Sequence, residues 1–260
     1  MKIRGAKKQT VQLTAVNAAV RALGLAMRIW MARTLGAEIM GVIELAQSAH
    51  MVAIAPLTSG LPAAISRLAA REQPERKPQM LDAGLWLSRK ASFLLIPVFW
   101  LLSPLIARCM GDVRVLPSLW FSAPCILILG YSASYNGYCY GIEQSGLPAA
   151  SELIEQFVRF GLCVVLISLG KNLTVSWLAA IPAAATMIAE ISGLFFVLHH
   201  FKGRKHFPRP SDRCIRAVTR LSLPATFSRM IQTALRSVTS IVIPLQLQKS
   251  GLCAAEATSQ

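Results

Sequence analysis

The sequence predicts an all-α fold, a polytopic bundle of membrane-crossing helices. Three observations carry that prediction. Of 260 residues, 54% are apolar, only 15% are charged, and mean hydropathy is +0.50. The apolar residues also gather into about seven stretches, each near the ~20 residues an α-helix needs to cross hydrocarbon. A soluble domain carries about a quarter charged residues, so this chain has too little charge to clothe a water-facing surface.

The seven stretches fall at 11–32, 41–65, 91–107, 115–138, 153–169, 173–198 and 221–247. Hydrocarbon offers no partner to an unpaired N–H or C=O, so the spanning form is the helix, not an open strand. Lys2, Arg4, Lys7 and Lys8 precede the first stretch and mimic a secretory signal. That stretch is too long for a signal, contains Arg21 and Arg28 and has no small-residue cleavage site, so it reads as an uncleaved helix. Pro56, Pro97, Pro104, Pro124, Pro182 and Pro224 lie inside later stretches and are expected to bend or break them. Such bends occur in transporters that rock around a central site, and in many channels and receptors as well.

The loops set a topology. One side collects Lys2, Arg4, Lys7, Lys8, Arg67, Arg71, Arg76, Lys77, Arg89 and Lys90, then Lys202, Arg204, Lys205, Arg209, Arg213, Arg216 and Arg220. The other side has only Arg33, Arg108, Arg114, Lys171 and Lys249. This asymmetry predicts a cytoplasmic N-terminus. It also accounts for the net charge of +15 without nucleic acid, which a chain this apolar is not built to bind.

Little points to an enzyme or a metal protein. Six cysteines (109, 125, 139, 163, 214 and 253) form no CxxC pair or Cys/His cluster, and four histidines show no ligand spacing. No glycine-rich phosphate loop and no GxSxG elbow is present, and no cofactor is implied.

Five arginines lie inside the spans. Arg21 and Arg28 are seven apart in the first, Arg229 and Arg236 seven apart in the seventh, and Arg159 sits in the fifth. Seven residues is nearly two turns, so each pair projects from one face, about 10 Å apart along the axis. An Arg at the bilayer centre costs about 2.5–3.5 kcal/mol on insertion scales, so five are not expected to face lipid. One reading is a cationic stripe lining a watery cavity for an anionic ligand; the other is snorkelling or ion pairing. Arg159 has Glu155 one turn before it, a favourable spacing for an ion pair. Glu155 and Glu190 are the candidate carriers of a coupling ion, Glu190 having no charged neighbour within a turn. Glu44 lies near a helix end, and His50 reads as a packed, hydrogen-bonded histidine.

A shift of 215 residues lays Asn17, Ala19, Val20, Arg21 and Gly36 on Gln232, Ala234, Leu235, Arg236 and Gly251. Such a repeat makes the seventh span the start of a second copy of a six-helix unit. The expected organisation is a six-helix lobe over 1–200, a basic cytoplasmic linker over 201–220, and at 221–260 the first helix of an incomplete second lobe.

Several segments resemble a known family. They are Arg21-Ala-Leu-Gly24, Ala32-Arg33-Thr-Leu-Gly36-Ala37, Gly60-Leu-Pro62-Ala-Ala-Ile-Ser66-Arg67, and Gly137 to Pro148 followed by Ser151-Glu-Leu-Ile-Glu155-Gln156-Phe-Val-Arg159. Ser222-Leu-Pro224 and Ile243-Pro244-Leu245 to Gly251 add to them. In order and spacing they resemble the stage V sporulation protein B and polysaccharide-export branch of the multidrug/oligosaccharidyl-lipid/polysaccharide flippase superfamily. The resemblance implies a MATE-like fold of two lobes and twelve to fourteen helices that alternates between inward- and outward-open states. It further implies transport of lipid-linked sugars or peptidoglycan precursors across a bacterial inner membrane, this chain supplying the first lobe. In the related murein precursor flippase, first-helix arginines face the central cavity; Arg21 matches one by its spacing to Gly24, and Arg28 stands one position from the second.

The expected partner is therefore a polyprenyl-(pyro)phosphate-linked sugar in the bilayer, its head group held by Arg21, Arg28, Arg159, Arg229 and Arg236 through paired N–H donors. A missing C-terminal half or envelope-synthesis proteins are further expected partners. Two rivals stand beside this expectation: a cation-coupled multidrug or metabolite exporter of the same superfamily, and a non-transporting scaffold in envelope assembly.

Overall fold

The computed structural model describes residues 2–170, 172–201 and 210–249, with side chains over 13–170, 172–201 and 210–232. Every element among the described residues is helical: α1 (Lys2–Ala55), α2 (Leu61–Arg71), α3 (Lys77–Cys109), α4 (Leu116–Gly141), α5 (Gly146–Leu169), α6 (Val175–His200) and α7 (Asp212–Lys249). A π turn at Pro56–Gly60 joins α1 to α2, and a 3₁₀ turn at Val113–Val115 precedes α4.

The first two predicted spans are joined without a loop. Both begin in α1, on either side of Gly36, where φ is 80° and ψ 172°, and the second continues past Ala55 through the π turn into α2. That conformation is essentially closed to residues with a Cβ, so a single glycine supplies the bend that a loop over 33–40 was expected to supply. Arg28 before the bend reaches Glu44 after it, Nη2 donating to Oε1 at 2.6 Å.

Four helical stretches among the described residues are long and apolar enough to cross a membrane: Leu13–Arg71, Lys77–Cys109, Val113–Gly141 and Val175–His200. α5 runs among them with Glu152, Glu155 and Arg159 along its length. α4 is the hub, packed on α2, α3 and α6, while α5 packs on α6 and α1. Toward the basic end, Ile65, Ala69, Leu81, Tyr138 and Val218 form one buried cluster; Val42, Phe99, Val115, Leu119 and Ile126 form another toward the opposite end. On the α3 side of α4 the buried serines are all bonded. Ser88 Oγ and Ser134 Oγ lie 2.8 Å apart and each 2.9 Å from the Gly130 carbonyl, so one hydroxyl donates to the other and the other to the carbonyl, and Ser92 Oγ donates to Ile126 O at 3.4 Å. Small hydroxyls let helices approach closely in lipid and satisfy themselves on carbonyls, which fits this dry seam.

α7 begins at Asp212, so residues 212–220 of the expected linker are helical, and Cys214 and Val218 are buried against α2 and α3. Higher up, Gly60 lets α7 touch the π turn backbone to backbone, since a Cβ there would overlap Thr226 and the Ser222 carbonyl. Thr226 Oγ1 donates to Pro56 O at 3.4 Å.

The short turn before α4 is tied by charge. Arg114 holds Asp112 through Nε (3.0 and 3.1 Å to the two carboxylate oxygens) and Nη2 (2.9 Å), and reaches Glu38 with Nη1. Hydrogen bonding from Arg114 keeps the Asp112 carboxyl below the usual carboxylate range. A lowered native value means the link is present above the unfolded value and is lost as pH falls through the native one. Arg114→Ala should therefore raise the Asp112 midpoint, read by carboxyl ¹³C NMR against pH; an unchanged midpoint would refute the assignment.

Candidate functional site

A cavity of about 200 Å³ lies inside the bundle between α1, α4, α5 and α6. α1 brings Gln47 and His50 to it, α4 brings Ser118, Ser122 and Cys125, α5 brings Arg159, and α6 brings Thr186 and Glu190. Gln47 and Met51 are its exposed liners and place its mouth on α1. Glu44, spaced three and seven residues before them, shares that face of the helix, so the Arg28–Glu44 pair lies beside the mouth.

The ionic centre is cross-helical. Arg159 Nη2 donates to Glu190 Oε1 at 3.0 Å, with Glu190 almost wholly buried. The expected one-turn pair of Arg159 with Glu155 is not formed. Glu155 instead accepts from Ser151 Oγ at 2.9 Å. The reason is Gly193, one turn beyond Glu190 on α6. It leaves a notch that the Glu155 carboxylate fills, and a Cβ there would overlap it. Glu190, which has no charged neighbour on its own helix, thus receives one from across the seam. Two buried carboxylates stand near one guanidinium that is bonded to only one of them, so with all three ionised the cluster carries one net negative charge.

The remaining arginines lie elsewhere. Arg21 and Arg28 are exposed on one face of α1 and Arg229 is exposed on α7. Arg28 is engaged by Glu44, whereas Arg21 and Arg229 make no ion pair with another described residue. The side chain of Arg236, the sequence partner of Arg21 in the repeat, lies outside the described residues, as does the end of the chain on which the repeat depends. Arg159 thus parts from the other candidates: it is inside the bundle and committed to a carboxylate. His50 is packed as expected, but its Nδ1 is buried with no hydrogen-bond partner, contrary to the bonded histidine expected. Sequence reasoning missed Ser118, Ser122, Gln47 and Thr186. The signal available for the first two was the spacing 118, 122, 125, 129, one face of a helix carrying small polar groups through an apolar span.

The helical bundle, its apolar spans and its buried ionic seam define a membrane protein with the fold of the MOP-superfamily transporters. A MATE transporter in the straight conformation superposes with a TM-score of 0.70 at 16% identity, over 93% of this chain and 55% of its own. A MOP-superfamily transporter from Pyrococcus furiosus, whose binding pocket is described as of reverse polarity, gives 0.70 at 18% identity over 88% and 53%. By sequence, residues 6–250 match the family described as polysaccharide biosynthesis protein, and the chain belongs to that family. Stage V sporulation protein B of Bacillus subtilis (strain 168) is 28% identical over 97% of this chain and 52% of its own length. The chain therefore spans about half the length of the relatives it matches.

Proposed function

We propose that this chain is the first lobe, with the opening helix of the second, of a flippase that moves lipid-linked oligosaccharide or peptidoglycan and polysaccharide precursors across a bacterial inner membrane by alternating access, with its N-terminus in the cytoplasm. The observation that carries this reading is a pair of exposed arginines without a described carboxylate beside them: Arg21, within the apolar stretch Leu13–Arg71, and Arg229 on α7. A guanidinium at membrane depth needs an anion, and a polyprenyl pyrophosphate head group supplies one that a planar fork binds bidentately. Arg28, held by Glu44 at the mouth of the cavity, is the adjustable member of the set, and Arg236 continues it along α7. Arg159 serves the ion-coupling side with Glu155 and Glu190, where one added proton makes the cluster neutral.

The test is binding of a polyprenyl pyrophosphate to the 260-residue chain in lipid nanodiscs, followed by native mass spectrometry. Arg21→Gln together with Arg229→Gln should weaken binding at least about tenfold, the loss of one good charge-assisted contact. Unchanged binding by that variant would overturn the assignment. Preference for a lipophilic cation over the pyrophosphate would favour the exporter reading, and stable capture of another membrane protein without lipid affinity would favour the scaffold.

A further inference from the structure

The buried polar atoms without a hydrogen-bond partner among the described residues are His50 Nδ1, Ser132 Oγ, Asn136 Oδ1 and Arg159 Nε. They are not scattered. His50 and Arg159 line the cavity. Ser132 and Asn136 lie on α4, and their register relates them to the cavity liners Ser118, Ser122, Cys125 and Leu129. At 3.6 residues per turn, all six positions fall within roughly 40° either side of one line along the helix. That line passes from Ser118, whose hydroxyl donates to Ala179 O of α6 at 3.0 Å, through the cavity, to Asn136, about one and a half turns before the end of α4 at Gly141. Both ends abut buried apolar residues, Val115, Leu119 and Ala179 beyond Ser118 and Ala69, Met80 and Val218 at the Asn136 end. They differ in what lies next: Met80 also lines a polar cleft with Glu72, Arg76, Gln79 and Arg213.

The opposite face of α4 is the control. There every buried serine against α3 is bonded to a carbonyl or to another serine. A buried polar group left unpaired costs about 1–3 kcal/mol, and natural structures relieve it with internal water that makes two to four bonds. The unsatisfied groups here are of mixed donor and acceptor character: two, His50 and Arg159, open on a cavity large enough for several waters, and two, Ser132 and Asn136, continue the α4 line that leads from it.

We propose that the α4 stripe carries a file of internal water from the cavity toward the basic end of the bundle, so that solvent and its protons reach the Arg159–Glu190 pair through the interior of the lobe. The ligand class is water, and His50, Ser132 and Asn136 are its polar holders. The track deepens the ion-coupling reading by giving the cluster a route to the aqueous phase, but it does not depend on the transported substrate. Loss of pyrophosphate binding would leave it standing, and its own failure would leave the arginine grip standing.

The experiment is thiol accessibility in nanodiscs, using a membrane-impermeant methanethiosulfonate on chains that keep one cysteine each. Native Cys125 on the stripe, Ser132→Cys and Asn136→Cys are compared with Cys163, which is equally buried but sits in the apolar cluster with Ile167, Ile181 and Ala185. The three stripe positions should react on the order of ten times faster than Cys163, a barrier difference of about 1.36 kcal/mol. Asn136→Leu should slow Ser132→Cys by a similar factor. Stripe thiols as slow as Cys163 would overturn the track, and fast Cys125 with slow 132 and 136 would reduce it to a closed cavity and overturn it equally. Should a cysteine substitution disturb folding, the unaltered chain decides: water–protein cross-relaxation NMR should show long-lived water at the Asn136 side-chain amide as well as beside Cys125, and none beside Cys163. Water beside Cys125 alone, or at none of these positions, would refute the proposal.

Discussion

Replacing Glu155 by Gln and Glu190 by Ala together should destabilise the bundle by about 3–5 kcal/mol, because Arg159 is then a buried cation with no carboxylate. The single change Glu190→Ala should cost less, about 1–3 kcal/mol, since Glu155 stands one turn away on α5 and can take the guanidinium once its partner is gone. The non-additivity is the signature. A cross-helix pair with a reserve partner gives a small single effect and a large double one, whereas independent residues give effects that sum. Arg159→Met with Glu190→Met and Glu155→Gln should return close to the parent, because uncharged side chains then replace the whole buried ionic cluster at little loss. Unfolding in mixed micelles measures these variants together with Glu155→Gln alone, and a double variant no worse than the sum of its two singles would refute the reserve-partner arrangement.

The second large effect is expected at Gly36. Its φ of 80° with ψ of 172° lies in a region that costs any residue with a Cβ about 1–3 kcal/mol. Gly36→Val should carry that strain or straighten α1, and straightening separates Arg28 from Glu44, which meet only because the helix bends between them. The measurement is the distance between spin labels placed at 28 and 44, read by pulsed electron paramagnetic resonance. It should lengthen once Gly36→Val is added, and an unchanged distance would mean the bend does not depend on the glycine.

The spans were legible in the sequence because hydrophobicity over some ~20 residues is a one-dimensional signal, and the helical bundle followed from it. The one-residue bend was not legible. Gly36 stands in a sequence as any glycine does, and only the backbone geometry shows that it replaces a loop. Extension of α7 back to Asp212 was hidden for a different reason: Arg213, Arg216 and Arg220 read as linker, while Cys214 and Val218 between them are the buried face of an amphipathic turn. At the site, the candidate charges were found but their pairing was not. Spacing along one helix nominated Glu155 for Arg159, and the choice was decided by a notch on the neighbouring helix that no local pattern encodes. The silent contributors, Gln47, Ser118, Ser122 and Thr186, are residue types that occur throughout apolar helices, and only their convergence distinguishes them.

The π turn that ends α1 widens the helix by one residue and so turns a main-chain oxygen outward at Pro56, where Thr226 takes it. The lower third of α7 is in this way riveted to the body of the bundle. Any rotation of α7 against the bundle would therefore have to break the Thr226–Pro56 contact or take place beyond it.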